Sequence, residues 1–401
     1  MVTVRRRLRV ATTLLCAALA ALLAGCGGSD KTKTVTTGNP SAPVLGRPAQ
    51  AKEAARDLGF PGFATKNTTR VGGSDPVADA AGVARAVYPG AAADSRPGAV
   101  TIVDAADFRS SVSAAQLMSR PLAAPILYSQ DGDLPPATQD ALDALKPTGA
   151  EQAGKAQVIR IGDDAGKPEG LKATNVEGSE PEAIARAIDR VATSAAGEQS
   201  DAVIVAPSSS PANAMPAAGL SAKTGAPVLW SGKDKLPTPT LAAIKDRKRP
   251  QIYVIGPASA ISNQLLTRLR KLGSATRISG PDPVANAIAV ARFADGAFGW
   301  NLVDPGHGLV FAPADRTGEA AAAAALSGSG KYGPLLLVDK AGTLPQALEA
   351  YLLDIQPGYD KDPVRGVYNH GWIMGDEEAI SVAVQARIDS LLEIQSVDRS
   401  E

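Results

Sequence analysis

The stretch that decides the fold is a short apolar run followed by a Leu-Pro turn, and it occurs three times. Residues 124–129 read Ala-Pro-Ile-Leu-Tyr-Ser, and Leu134-Pro135 follows. The pattern returns at residues 226–231 as Ala-Pro-Val-Leu-Trp-Ser and at residues 333–338 as Gly-Pro-Leu-Leu-Leu-Val, each time with a Leu-Pro turn. The prolines of successive copies lie 102 and 107 residues apart. This spacing predicts a module that is present three times.

A second repeated pattern opens each module. Residues 69–78 read Thr-Arg-Val-Gly-Gly-Ser-Asp-Pro-Val-Ala, and residues 276–285 read Thr-Arg-Ile-Ser-Gly-Pro-Asp-Pro-Val-Ala. Residues 174–183 form a looser copy with Glu180 before its proline. Asp75 and Asp282 each precede a proline and an Ala-rich apolar stripe, which predicts a capped helix start with proline in the first turn.

Short apolar runs alternate with helical patterns throughout the repeats. This order predicts βαβ units and parallel sheets that are covered on both faces. The third module is expected to close with a strand over residues 366–368. The fold class is therefore predicted as α/β, with three tandem, similar, Rossmann-like modules packed in a pseudo-threefold arrangement. The run of alanines at residues 320–325 is expected to be a core helix.

The N-terminus has the pattern of a secretory leader. A basic stretch, residues 1–9, precedes an apolar stretch, residues 10–24, which is too short for a transmembrane helix. The leader ends in Leu-Ala-Gly before Cys26, which looks like the lipobox of bacterial lipoproteins. We expect Cys26 to be lipidated and to hold the protein on the lipid bilayer, at the extracytoplasmic face of the cell membrane.

The composition excludes several classes of protein. Without its leader the chain has 37 basic and 41 acidic residues, a net charge of −4, which argues against a nucleic-acid binder. Only Cys26 remains after removal of the leader, so no internal disulfide or cysteine metal site is expected. Aromatic residues make up 4%, which disfavours a surface that stacks sugar rings.

No constellation of catalytic, metal-binding or cofactor-binding residues stands out. Gly-Ser-Gly-Lys at residues 328–331 lacks the earlier glycine of a phosphate-binding loop, and no nucleophile elbow or zinc-protease motif occurs. The two histidines and the acids that follow predicted strands are interpreted as local hydrogen-bonding and capping groups. We therefore predict a non-enzyme without cofactor or metal. The two histidines are His307 and His370, and the acids that follow predicted strands are Asp104, Asp107 and Asp315.

The repeats divide the chain into seven segments. The expected order is a signal peptide (1–25), a flexible tether (26–48), an N-terminal helix or cap (49–67), three repeats and a short tail. The repeats span residues 68–163, 164–273 and 274–394, and the tail spans residues 395–401.

In the order of these elements the chain resembles the cell wall-binding repeat 2 family of Gram-positive surface proteins. The matching features are the opening Thr-Arg pattern, the Pro-Ile/Val/Leu-Leu word, the Leu-Pro turn and the closing Val-Ile-x-Ile-Gly, over about residues 68–392. The resemblance implies non-covalent binding of an anionic wall polymer, with a hydrophobic triplet in each copy associated with that binding. Here the triplets are Ile126, Leu127 and Tyr128; Val228, Leu229 and Trp230; and Leu335, Leu336 and Leu337.

Four basic residues are further candidates for contacting such a polymer. They are Arg70, Arg277, Lys233 and Lys235. Arginine suits bidentate contact with phosphate or carboxylate groups, and inter-module salt bridges are the other interpretation. The expected function is non-catalytic association with the cell wall. The alternatives are a solute-binding lipoprotein of a transport system, which would show two lobes and one deep cleft, and a surface scaffold for a protein partner.

Overall fold

In a computed structural model, residues 63–397 are described, and they lie in one compact unit. They contain three parallel sheets, which confirms the predicted class of repeated α/β modules. The four parallel strands of each sheet have the same order. The strand that follows the opening helix along the chain lies next to the edge strand that holds the triplet. The strands, in spatial order, are Ile126–Ser129, Val100–Asp104, Val158–Ile161 and Ala173–Val176; Val228–Ser231, Ala202–Pro207, Gln251–Ile255 and Ser274–Ile278; and Leu335–Val338, Gly308–Pro313, His370–Ile373 and Thr68–Arg70.

The fourth strand of every sheet comes from the opening pattern of the next module. Ala173–Val176 leads into the second module but completes the first sheet, and Ser274–Ile278 completes the second sheet in the same way. The opening strand of the first module completes the third sheet, because Thr68–Arg70 pairs in parallel with His370–Ile373. The sheets therefore do not share boundaries with the predicted sequence repeats.

Helices follow the strands as the repeated patterns predict. Each opening helix begins with a proline, and the carboxylates of Asp75 and Asp282 accept hydrogen bonds from the backbone of Ala78 (2.9 Å) and Ala285 (2.8 Å). Glu180 makes no such side-chain cap. The α-helices are Pro76–Val87, Phe108–Ala114, Pro136–Leu145, Pro181–Ala196, Pro211–Ala214, Pro216–Thr224, Thr238–Lys245, Asn263–Leu269, Pro283–Arg292, Glu319–Gly328, Gln346–Asp354 and Val382–Leu392.

Small-residue segments from the three modules meet at a common centre. The 3-10 turn Ala115–Met118 and the helices Pro216–Thr224 and Glu319–Gly328 pack against one another in all three pairs. Close approach requires glycine there, since a Cβ on Gly219 would lie 2.8 Å from Oγ of Ser327. The alanine run is fully buried in this centre, as expected. The predicted pseudo-threefold arrangement thus rests on three segments that are rich in small residues, which allows their backbones to approach closely.

The third module has additional residues between the helix Gln346–Asp354 and the strand His370–Ile373. The predicted strand at residues 366–368 is wrong, because the strand beside Gly308–Pro313 is His370–Ile373. Residues 366–368 instead follow the 3-10 helix Pro363–Arg365, and about half of the Val367 side chain is exposed. Two further 3-10 helices and two small paired sheets complete the description: Ala93–Ser95 and Glu151–Ala153; Ala294–Asp295 with Phe298–Gly299; and Gly358–Tyr359 with Gln395–Ser396. Phe63–Ala64 pairs antiparallel with the strand of Arg70.

The predicted leader, lipidation site, tether and helix at residues 49–58 lie outside the described residues. Between residues 63 and 397, no helix combines the length and apolar character needed to cross a membrane.

Candidate functional site

The nine residues of the hydrophobic triplets lie in one edge strand of each of the three sheets, and all are buried. No triplet side chain is more than 2% exposed. Direct contact between these side chains and a polymer is therefore not possible in this structure, which corrects that part of the expectation. Their energetic role is the burial of apolar area, at about 25 cal/mol per Å².

The third residues of the first two triplets form hydrogen bonds between modules. Tyr128 Oη donates a hydrogen bond to the backbone carbonyl of Gly318 in the third module, at 2.8 Å. Trp230 Nε1 donates to Oγ of Ser113 in the first module, also at 2.8 Å. Leu337 belongs to the shared apolar core. Tyr128 and Trp230 thus each bond to a different neighbouring module.

Arg70 is a buried structural residue and does not reach solvent. Its side chain donates to Gln385 Oε1 (2.7 Å) and to the carbonyls of Gly375 (2.9 Å), Asp376 (2.6 Å) and Ile380 (2.7 Å). Burial lowers the pKa of Arg70 to about 10. The guanidinium fills the turn before the helix Val382–Leu392, so the expectation of polymer contact by Arg70 is corrected.

Arg277 and Arg160 serve the equivalent turns of the other sheets. Arg277, half-buried, donates to the carbonyls of Gly256 and Ile261, both at 2.6 Å. In the first sheet the arginine comes from the neighbouring strand: Arg160 Nε donates to the carbonyl of Ala165 at 3.0 Å, and Nη1 donates to Oδ1 of Asn175 at 3.1 Å. Three guanidinium groups therefore hold three equivalent turns. The shared pairing of Arg160 and Asn175 explains why the second opening pattern lacks its arginine.

Each junction between modules also contains buried polar groups. At the junction of the first and third modules, Asp79 and Glu319 are both fully buried, and burial raises the pKa of Asp79 to about 7 and that of Glu319 well above its ordinary range. Asp79 Oδ1 accepts a hydrogen bond from the backbone of Gly73 at 2.7 Å. Two carboxyl groups so placed share a proton more readily than both ionise. Sequence reasoning missed this pair, because its members are 240 positions apart.

The other two junctions use different polar groups. Asn286 Nδ2 donates to the carbonyl of Asn213 at 2.9 Å between the third and second modules. Between the first and second modules, Asp189 accepts from Gln116 Nε2 (3.2 Å) and from Arg247 Nη2 (2.7 Å). These hydrogen bonds join neighbouring modules, although Oε1 of Gln116 and Oδ1 of Asn286 are buried without a hydrogen-bond partner.

Lys233 and Lys235 are the candidates that remain at the surface. Both are exposed in the turn that follows Val228–Ser231, and neither forms an ion pair with a residue in the described part of the chain. The turn is fixed by backbone bonds from Gly232 to the carbonyl of Lys235 (3.0 Å) and from Ser262 to that of Lys233 (2.8 Å). Two cations are thus presented to solvent on a rigid turn.

The acids and histidines considered for chemistry make local contacts. Asp107 caps the helix Phe108–Ala114, and Asp104 accepts from the backbone of Ala106 (2.9 Å) and Asp131 (3.0 Å). Asp315 is exposed. His370 Nε2 lies 3.0 Å from Thr69 Oγ1, and His307 Nε2 lies 3.0 Å from Asp304 Oδ1. Within residues 63–397 no three of the His, Cys, Asp or Glu side chains form a group that could hold a metal ion.

Comparison with known proteins gives a consistent result. Residues 186–266 and 277–385 match the family model of Cell wall binding domain 2 (CWB2). The fold is similar to that of Cwp6 from Clostridium difficile, with a TM-score of 0.65 and 17% identity over 82% of this chain and 48% of that chain. It is also similar to Cwp8 from Clostridium difficile, with a TM-score of 0.61 and 16% identity over 86% and 54% of the two chains. This chain thus spans about half the length of both proteins. No curated protein matched the sequence.

Proposed function

We propose that this chain is a cell wall-associated protein that binds a polymer of the wall without catalysing a reaction, because residues 186–266 and 277–385 match the model of Cell wall binding domain 2. The family match implies a location at the cell surface. The observation that carries the proposal is that the first matched segment contains three strands of the second sheet and the second contains three strands of the third sheet. The first sheet has the same strand order, so we propose that the first module is a third copy.

The proposal includes a lipid anchor at Cys26. The sequence before this cysteine supports it, since a basic stretch, a short apolar stretch and a small-residue cleavage pattern occur in that order. The acyl chains would hold the modules on the outer face of the cell membrane, and residues 27–47 would serve as a tether with a reach of roughly 25 Å. Metabolic labelling with a fatty acid tests the anchor, and a Cys26→Ser chain that still incorporates the label would contradict it.

Retention on purified cell walls tests the binding function. The chain from residue 27 to residue 401 contains the whole compact unit and lacks the leader. We expect it to sediment with walls at low salt and to be released as salt screens the charged contacts. A chain that stays in the supernatant at low salt would refute wall binding.

A protein-partner scaffold is the second candidate, and one surface favours it. The large apolar side chains exposed within residues 63–397 belong to the third module, apart from Val397 in the tail, and Val364 is the most exposed of them at 81%. Exposed apolar side chains are a feature of surfaces that contact other proteins. Cross-linking on intact cells would reveal a partner at this surface. A solute-binding lipoprotein would have two lobes that face one cleft, whereas this chain has three sheets around a shared centre, so the geometry does not favour that alternative.

A further inference from the structure

The positive charge of the protein is concentrated on the second module. Residues 233–273, which run from the turn after Val228–Ser231 to the strand Ser274–Ile278, contain nine Lys or Arg residues and two Asp residues, a net charge of +7. The formal net charge of the whole chain is zero, so the remainder carries −7. The field of the molecule is therefore strongly asymmetric although its total charge is not.

The equivalent segments of the other modules have the opposite sign. Residues 131–172, which lie between the strands Ile126–Ser129 and Ala173–Val176 of the first sheet, contain five basic and eight acidic residues, a net charge of −3. Residues 340–392 of the third module contain four basic and eight acidic residues, a net charge of −4. The strands and helices of the three segments are equivalent, so the fold itself does not require the basic residues of the second module.

Eight of the nine basic side chains are free to contact a ligand. The exception is Arg247, which is buried and paired with Asp189 at 2.7 Å. Of the two acids, Asp246 is already paired with Arg186 at 2.8 Å. The other eight cations are exposed and form no ion pair with any residue from 63 to 397. We call them the basic face: Lys233, Lys235, Lys245, Lys248, Arg249, Arg268, Arg270 and Lys271.

Backbone contacts join the parts of the basic face into one surface. The loops that hold Arg249 and Lys271 lie side by side, because the amide of Ser274 donates to the carbonyl of Pro250 at 3.0 Å. Arg268 Nη1 donates to the carbonyl of Asp234 at 3.3 Å and so links the helix Asn263–Leu269 to the turn of the two lysines. The cations thus extend along the length of the sheet, from one end of its strands to the other.

We infer that the basic face is the contact surface for a polyanionic wall polymer with repeating phosphate or carboxylate groups. This inference rests on the proposed wall binding and assigns it to one module. A strip of separate cations on exposed side chains suits a charged chain, whose successive groups can each meet a cation. The large exposed apolar side chains of the described residues all lie outside the strip. Surfaces that dock on a lipid bilayer usually add such side chains, so the polymer is favoured over a membrane.

Charge reversal tests this assignment. The variant K248E/R249E/R270E/K271E changes four exposed loop residues, and the matched control K146E/K155E/K167E/K172E changes four exposed lysines of the first module by the same total charge. Both are made in the chain 27–401, and equal urea midpoints verify folding. Probes are purified walls, poly(glycerol phosphate), polygalacturonate and phosphatidylglycerol vesicles. We expect the basic-face variant to bind walls, and the polyanion preferred by the unaltered chain, at least about tenfold more weakly, with the control within about threefold.

The outcomes separate the two proposals. If the unaltered chain does not bind walls, the proposed function fails and this inference fails with it. If the unaltered chain binds walls and the basic-face variant binds equally well, the inference fails while the proposed function stands. Loss of vesicle binding with intact wall binding would assign the face to a membrane and would also overturn the inference.

Discussion

Tyr128 Oη and the backbone carbonyl of Gly318 form a 2.8 Å hydrogen bond that joins the first module to the third. The two residues are 190 positions apart, and the tyrosine is fully buried. Burial raises the pKa of Tyr128 above its ordinary range, so the phenol remains a donor at all physiological pH values. A residue of the repeated apolar strand therefore helps to hold the modules together.

Tyr128→Phe should destabilise the protein by about 1 kcal/mol, because the substitution leaves the buried carbonyl of Gly318 without its donor. Tyr368→Phe is the matched control, since Tyr368 bonds to Pro363 in an exposed loop. Urea denaturation measures both. Equal midpoints for the two variants would show that the bond between modules contributes no stability.

Arg70→Lys should cost about 2–3 kcal/mol, because a lysine cannot satisfy the four acceptors that surround the guanidinium. Arg365→Lys, at an exposed arginine 4.0 Å from Asp362, should be nearly neutral. Wall retention of the folded Arg70→Lys protein should equal that of the unaltered chain. A selective loss of retention with unchanged stability would return Arg70 to the polymer-binding candidates.

Gly280→Ala should destabilise the protein by about 1–3 kcal/mol through steric overlap. A Cβ there would lie 2.2 Å from the backbone carbonyl carbon of Ala285, in the opening helix of the third module. Gly342 has no atom within 4 Å of the equivalent position, so Gly342→Ala serves as the control. Thermal unfolding compares the two. A similar melting temperature for both would disprove the close approach of strand and helix.

The buried acids predict a fall of stability between about pH 4 and pH 7. The folded protein holds a proton on the Asp79–Glu319 pair in this range, whereas the unfolded chain has lost it. The stabilising contribution is therefore full below the unfolded pKa and is lost as the pH rises. Arg316 lowers both pKa values, and Asp75 raises that of Glu319, but neither effect exceeds that of burial.

Glu319→Gln should weaken this pH dependence, because an amide can donate to Asp79 without titrating. Urea midpoints at pH 5 and pH 8 measure the effect, and we expect the variant to gain stability relative to the unaltered chain at pH 8. Glu349→Gln, at a partly exposed residue paired with Arg387, provides the control. An unchanged difference between the two pH values in Glu319→Gln would contradict a shared proton.

The basic face shows how much of the candidate site the sequence could reveal. Its signal is local, in Lys-Asp-Arg-Lys-Arg at residues 245–249 and Arg-Leu-Arg-Lys at residues 268–271. A net charge summed over the whole chain concealed it, because acids elsewhere cancel the excess. A count per module would have found it. The role of Arg70 could not be found in this way, since an arginine in a Thr-Arg pattern looks the same whether a polymer or four protein groups surround it.

The sequence by itself determined the repeated module, because the order of short apolar strands, capped helix starts and Leu-Pro turns reflects local conformational preferences. It also determined that the triplets form strands. Only the tertiary structure decided which sheet each opening strand joins, since parallel pairing depends on distant partners and Thr68–Arg70 finds its partner about 300 residues away. The same cause explains the buried acids and the bond from Tyr128 to Gly318. Residues far apart in the chain become neighbours only when the three modules close around their shared helices.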